Sequence, residues 1–182
     1  MKQHHLIILL SLSAAVPLAI SQEALFPLSP HGLGGHGGPH FKFTTMDGKN
    51  AVIGGGLLGI AINPGFSWLV TANYLEDDVG GLEFGYGAIG AETSYRQRQI
   101  LQPMAQVLAG FGQAERAGVA GPAFVGELSA MLGIQVGRGE KIILGLGYRM
   151  VPMGFEGLSP ADLSGPTASL QLATGNFRTR KE

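Results

Sequence analysis

Two glutamates and two basic residues are the side chains of this sequence that could take part in acid–base chemistry. Glu83, Glu127, Arg149 and Lys42 fall on the same alternating face of separate strand-like segments. Two carboxylates held together can act as general acid and general base. An arginine can instead bridge carboxylates through paired hydrogen bonds and neutralise a filled interior. We favour the second interpretation and predict an interior charge network. Glu92 is predicted to face inward as well.

Three histidines lie in a glycine-rich stretch. His31, His36 and His40 are spaced by five and four residues, a pattern that can bind Zn, Cu or Ni in a flexible loop. Glycine leaves such a backbone mobile, so neither spacing prepares a site. We therefore predict a flexible leader over residues 22–40, with a weak metal site as the alternative, and no cofactor. Because no histidine follows His40, we expect no serine–histidine acyl transfer. A mechanism that uses carboxylates alone stays open, but the function we expect is not enzymatic.

The segment Gly85–Gly90 matches the pattern G-x-G-x-x-G. A dinucleotide site needs this pattern between a strand and a helix, whose N-terminus holds the pyrophosphate. Here the pattern lies inside an alternating segment with no helical pattern after it. The glycines are better explained as small residues or bends in a tight barrel.

Composition excludes several classes of protein. The chain has 182 residues, 30 glycines, no cysteine, 14% charged and 45% hydrophobic residues, and a net charge of −1. Disorder needs lower hydrophobicity and higher net charge, and a disulfide scaffold needs cysteines. Because there is no excess of basic residues to neutralise phosphates, we expect no nucleic-acid partner.

Residues 1–21 have the pattern of a secretory signal peptide. A basic start at Lys2 precedes an apolar run over residues 6–16, and Ala19 and Ser21 are small residues at positions −3 and −1 of a cleavage site. The apolar run is too short to span a membrane. We predict that the exported chain begins at Gln22.

From Phe41 to Phe177 the hydrophobic period is two, which is typical of strands. Asp47-Gly48 and Asn63-Pro64-Gly65 are turn signals. The second signal also divides the uncharged stretch 51–72, which is otherwise long enough for a transmembrane helix. The alternating patterns of the eight predicted strands cover residues 41–45, 51–62, 66–74, 82–88, 106–111, 124–130, 142–149 and 168–173.

One face of these strands is bulky and apolar, and the other is small, polar or charged. The small face cannot form a core, so the apolar face is predicted to contact lipid. The sequence therefore predicts an all-β, eight-stranded antiparallel up-and-down transmembrane barrel, preceded by a signal-peptide helix and followed by a polar tail over residues 178–182. Eight strands leave an interior that side chains just fill. Candidate aromatics for the membrane interface are Phe66, Trp68, Tyr74, Phe84 and Tyr148.

Four segments resemble a family of small outer-membrane β-barrels of Bacteroidetes-type bacteria. They begin at Phe41, Ala51, Leu82 and Leu163, and the resemblance extends from Gly37 to Phe177. The resemblance implies a barrel in the outer membrane, similar in architecture to the OmpA/OmpX class, and implies no catalytic residues. Such barrels usually end in an aromatic residue, whereas here five polar residues follow Phe177.

The function predicted from these features is a non-enzymatic outer-membrane barrel with a filled interior and a structural or surface-interaction role. Its expected partners are outer-membrane lipid, the outer-membrane assembly machinery and an extracellular or envelope protein. The candidate contact surfaces are residues 76–78 and 152–160. Two alternatives remain: a small transport or ligand-binding barrel, and a soluble lipocalin-like exported barrel with its aromatic face inside.

Overall fold

The computed structural model describes residues 34–63, 65–76, 79–95, 100–137, 139–154 and 158–175. The predicted signal peptide, His31, Phe177 and the polar tail lie outside the described residues, as do residues 77–78 and 155–157 of the predicted contact surfaces. Those predictions remain expectations.

Eight antiparallel strands close into a barrel in which each strand pairs with its neighbours along the chain and β8 pairs with β1. The barrel has two distinct ends. We call the end where β1 begins and β8 ends the terminal end, and the opposite end the capped end. The strands are β1 Gly34–Met46, β2 Lys49–Asn63, β3 Phe66–Leu75, β4 Leu82–Ser94, β5 Leu101–Arg116, β6 Val119–Gln135, β7 Glu140–Met150 and β8 Gly165–Gly175.

Two of the connections at the capped end are two-residue turns. Asp47 and Gly48 have φ angles of 50° and 70°, and Ala117 and Gly118 have φ angles of 52° and 83°. Consecutive positive φ angles match the twist of the flanking strands. The turn at Asp47-Gly48 is confirmed. The second turn is shorter than the gap between the predicted strands 106–111 and 124–130, because β5 continues to Arg116 and β6 begins at Val119.

The uncharged stretch 51–72 forms a hairpin rather than a helix. Strands β2 and β3 pair antiparallel, with a register shift between Ala61 and Asn63 beside the turn. The described part of the chain contains no helix long and apolar enough to cross a bilayer.

The first strand starts earlier than the sequence predicts. Strand β1 begins at Gly34, so residues 34–40 belong to the barrel and not to a flexible leader. His36 and His40 point inward and are buried. Their cross-strand partners on β2 are Gly59 and Gly55. A Cβ at either glycine would overlap the imidazole ring, so these glycines make the room that the histidines fill.

The predicted faces are correct for β1, β3, β5, β6, β7 and β8, and wrong for β4. Phe84 and Tyr86 lie inside the barrel, 1% and 4% exposed, instead of facing outward. Their cross-strand partners on β5 are Ala114 and Gly112. These small residues leave the volume that the two rings occupy.

The described residues between β7 and β8, 151–154 and 158–164, lie at the capped end, and we call them the cap loop. It contains one short helix, α1 Pro160–Leu163. Val151, Leu158 and Leu163 are buried and join the apolar cluster inside the barrel. The carbonyl oxygen of Asp162 accepts a hydrogen bond from the backbone N–H of Asp47 at 2.8 Å. The cap loop is therefore tied to the first hairpin.

We expect Gly112→Ala to lower the free energy of unfolding by about 1–3 kcal/mol, the usual cost of overpacking. A Cβ at residue 112 would overlap the carbonyl oxygen of Gly85 and the Cα of Tyr86, and backbone cannot move aside cheaply. Gly56→Ala is the matched control, since nothing lies within 4 Å of its Cβ position. Reversible urea unfolding in detergent measures both. Equal stabilities of the two variants would contradict the prediction.

Candidate functional site

The two halves of the barrel interior differ: the half at the capped end is mainly apolar, and the half at the terminal end mixes polar side chains with a small apolar cluster of Met104, Met131, Ile143 and Ala173. Towards the capped end, the interior holds an apolar cluster that includes Met46, Leu75, Leu82 and Phe84. Towards the terminal end, it holds buried polar side chains, among them His36, Ser67, Glu92, Gln102 and Lys141. Between the halves lies the group of charged residues that the sequence singles out.

Lys42, Glu127 and Tyr86 form one hydrogen-bonded cluster between these halves. The Nζ atom of Lys42 lies 2.5 Å from Oε2 of Glu127 and donates to the Tyr86 hydroxyl at 3.1 Å. The Tyr86 hydroxyl donates to Oε1 of Glu127. All three residues are at most 6% exposed. Strands β1, β4 and β6 supply them, so the cluster crosses the barrel and joins its opposite walls.

Arg149 does not bridge carboxylates as the sequence suggests. It is directly opposite Glu127 in the pairing of β6 and β7. Within the described residues, however, it makes no ion pair within 4 Å. Its Nε instead donates to the carbonyl oxygen of Leu163 at 2.8 Å, and its guanidinium lies 5.7 Å from the centre of the Phe84 ring. The completely buried Arg149 therefore holds the cap loop against the barrel.

Glu83 lies outside the barrel and not with the interior charges. It is exposed on β4, where its cross-strand partner is Glu115. This placement follows from the reversed faces of β4, which put Phe84 inside. Glu92, on the same strand, is buried near the terminal end, where its Oε1 lies 3.7 Å from Nε2 of His36. The predicted network thus divides into separate parts along the barrel.

His36 and His40 do not belong to the flexible loop considered above, and His31 lies outside the described residues. His36 and His40 are four residues apart on a rigid strand, which separates them by about 13 Å. His40 is engaged elsewhere: its Nε2 lies 2.6 Å from Oδ1 of Asn73. The described residues contain no group of three or more side chains suited to hold a metal.

Four of the five predicted interfacial aromatics lie on outward-facing positions near strand ends. Phe66 and Trp68 are near the terminal end and pack edge to face, with ring centres 5.5 Å apart. Tyr74 and Tyr148 are near the capped end. Phe84 is the exception, because it fills the interior.

Tyr86 and Leu163 are site residues that sequence reasoning missed. Tyr86 belongs to the bulky face that was predicted to face lipid, and Gly112, its cross-strand partner, was the signal that room existed for a ring inside. The contact of Leu163 with Arg149 left no trace in the periodicity, because it joins a loop backbone to a strand.

We expect Arg149→Met to lower the free energy of unfolding by about 1.5–3 kcal/mol, the range for hydrogen bonds to charged groups. The variant keeps an apolar stem near Phe84 but leaves the Leu163 carbonyl without its donor. Hydrogen exchange should accelerate at residues 158–164 more than in the middle of β6. Uniform acceleration along the chain would contradict a role in holding the cap loop.

Acid should loosen the start of helix α1. The backbone N–H and hydroxyl of Ser159 both donate to Oδ2 of Asp162, at 2.7 and 2.8 Å, and these bonds lower the pKa of that carboxyl. Because folding lowers its pKa, the Asp162 carboxylate stabilises the loop fully at pH values above its ordinary pKa. This stabilisation is lost as the pH falls through the lowered pKa. The Ser159 amide resonance should follow this titration, and Asp162→Asn should abolish it.

No family model matches the chain, and no curated protein matches its sequence. Among solved structures, Neisserial surface protein A (NspA) is 11% identical, covers 79% of this chain and 94% of its own, and has a TM-score of 0.51. Ail, the attachment invasion locus protein of Yersinia pestis, solved with the heparin analogue sucrose octasulfate, is 14% identical, covers 79% and 96%, and has a TM-score of 0.49. The likeness to NspA is one of fold. It agrees with the closed eight-stranded antiparallel barrel that the sequence predicts, and that prediction is confirmed.

Proposed function

We propose that this chain is a non-enzymatic outer-membrane β-barrel with a structural or surface-interaction role. The observation that carries the proposal is the inverted distribution of side chains. Large apolar residues face outward, while Lys42, Glu127 and Arg149 are buried inside. This is the pattern of a barrel whose solvent is lipid.

The outward apolar surface extends around the barrel. Every one of the eight strands carries at least one large apolar side chain on its outer face. Soluble monomers rarely expose a continuous apolar patch larger than a few hundred Å², so this surface disfavours the soluble lipocalin-like alternative. Each strand also has 10–17 residues, enough for the 9–11 that span a bilayer. The most exposed members of this surface are Leu58, Ile60, Trp68, Val70, Ile89, Phe111, Leu128, Leu146 and Leu172.

A filled interior supports a structural or interaction role over transport. The cluster of Lys42, Glu127 and Tyr86 joins the walls across the middle of the barrel. The cap loop adds buried Val151 and Leu163 at one end. A hydrated ion would have to displace both, so we expect no steady conductance in planar bilayers. Stable single-channel steps would favour the transport alternative.

The surface available to a partner at the capped end consists of the cap loop and the neighbouring turns. Pro152 and Met153 are exposed there, beside buried residues that fix the loop. Because the capped end is opposite the start of β1 and the end of β8, it faces outward if those strand ends are on the periplasmic side. An extracellular or envelope protein is the partner class we propose for it.

We also propose that a signal peptide directs export of the chain and that the chain belongs to the Bacteroidetes-type barrel family. The first is supported by the pattern of residues 1–21, and the second by the four sequence segments described above.

Heat modifiability tests the proposal. The mature chain, refolded in detergent, should migrate differently on a cold SDS gel before and after boiling, because a closed barrel resists SDS until heated. The native protein should also stay with the outer-membrane fraction after a high-salt wash. Folding in plain buffer, or release as soluble periplasmic protein, would overturn the proposal.

A further inference from the structure

Near the middle of the barrel, a small cavity is lined by side chains from opposite walls, most of them polar, with Leu57, Leu108 and Met131 as the apolar part of the lining. His40 of β1, Gln171 of β8 and Gln106 of β5 are among the lining residues. His40 and Gln171 are direct cross-strand partners, and all three residues are at most 7% exposed. The space within the cavity that the centre of a water molecule can occupy is about 10 Å³. A site for one water has about this volume.

Each of these three residues has one buried polar atom without a hydrogen-bond partner among the described residues. The atoms are Nδ1 of His40, Nε2 of Gln106 and Nε2 of Gln171. Leaving one such atom unpaired costs about 1–3 kcal/mol. Three around one cavity are therefore a strong indication that something polar joins them.

The local hydrogen bonds fix which of these atoms donates. The Nδ2 atom of Asn73 donates to Oγ1 of Thr71 at 3.2 Å, so its Oδ1 faces His40 as an acceptor. The neutral His40 ring then carries its proton on Nε2, and its Nδ1 is an acceptor. The two glutamine Nε2 atoms can only donate. His40, Gln106 and Gln171, which line the cavity, thus offer two unpaired donors and one unpaired acceptor.

We propose that this cavity is a binding site for one ordered water molecule, which accepts hydrogen bonds from Gln106 and Gln171 and donates one to Nδ1 of His40. Three bonds are what buried waters typically make. Water satisfies both kinds of partner at once, whereas a metal cation would be repelled by the glutamine N–H groups and by the ammonium of Lys42, which also lines the cavity. The site ties β1, β5 and β8 together independently of the cluster formed by Lys42, Glu127 and Tyr86.

Nuclear magnetic resonance of the ¹⁵N-labelled full-length barrel in detergent tests this site. We expect nuclear Overhauser cross-peaks between a long-lived water and the side-chain amides of Gln106 and Gln171, and an unprotonated, hydrogen-bonded Nδ1 on His40. Gln106→Leu should abolish the cross-peak at Gln171, although Gln171 itself is unchanged. Gln113→Leu, on an exposed position of the same strand, should leave the cross-peak intact.

The wild-type spectrum decides the matter even where Gln106→Leu fails to fold. Absence of water cross-peaks at both glutamines, a proton on Nδ1 of His40, or a direct bond between His40 and Gln171 would overturn the proposal. Persistence of the Gln171 cross-peak in a folded Gln106→Leu variant would overturn it as well. Because the measurement concerns the interior alone, its outcome is distinguishable from a failure of membrane localisation.

Discussion

Replacing Glu127 with leucine should lower the free energy of unfolding by about 3–5 kcal/mol, the cost of leaving one member of a buried ion pair alone. Glu127 is 4% exposed, and its carboxylate is the acceptor for both Lys42 and Tyr86. Without it, an ammonium and a hydroxyl lose their partner in a space that offers little water. Urea titration in detergent or lipid vesicles measures the loss.

The double variant Lys42→Met/Glu127→Leu should recover most of that stability. Replacing a buried ion pair by apolar groups of similar size is often neutral or better. The Tyr86 hydroxyl still loses its acceptor, so we expect the double variant to remain about 1 kcal/mol below wild type. Glu83→Leu is the control on the outer face, and it should be neutral or slightly stabilising, because it removes repulsion with Glu115. A double variant no more stable than Glu127→Leu would show that the pair does not act as a unit.

Replacing Leu146 with arginine should cost about 2–4 kcal/mol in lipid vesicles, as for a cation at the bilayer midplane. Leu146 lies near the middle of β7, faces outward and is 72% exposed. The effect arises entirely from the solvent that surrounds the barrel, since the side chain has few protein contacts to lose. Unfolding titrations of the vesicle-inserted protein measure it.

Met150→Arg is the matched control for this prediction. Met150 is on the outer face of the same strand, at its last residue, two positions beyond Tyr148. Near the interface an arginine costs about 0–1 kcal/mol. If the barrel were soluble, both positions would be exposed to water and both substitutions would change stability by less than about 0.5 kcal/mol. Equal, small effects would therefore contradict the proposed membrane location.

Local pattern was sufficient to predict the outward face of most of the strands, and it failed for β4. On β7 the bulky residues alternate with glycines and Arg149, and the prediction of its outer face was correct. On β4 the bulky set also alternates with glycines, yet it faces inward. The difference is set by the neighbouring strand β5, where the small residues Ala114 and Gly112 lie beside Phe84 and Tyr86 and leave space for their rings.

The candidate site was predictable in its residue types and not in its connections. Lys42, Glu127 and Arg149 were identified because charges on an inward face need neutralisation. Which charges meet depends on the stagger of strands that are far apart in sequence. For example, Lys42 and Glu127 are 85 residues apart. Arg149 also had a backbone carbonyl available in the cap loop, and no sequence pattern announces that.

The sequence by itself determined the number of strands, the alternation that separates an apolar face from a polar one, and most of the turns. These features depend on neighbours along the chain, which period and turn chemistry record. Only the tertiary structure decided that His36 and His40 belong to β1, that β4 turns its aromatic side inward, and that Arg149 holds the cap loop. Those outcomes depend on the volume and hydrogen-bonding groups that the other strands present across the barrel. Such contacts arise only when the barrel closes.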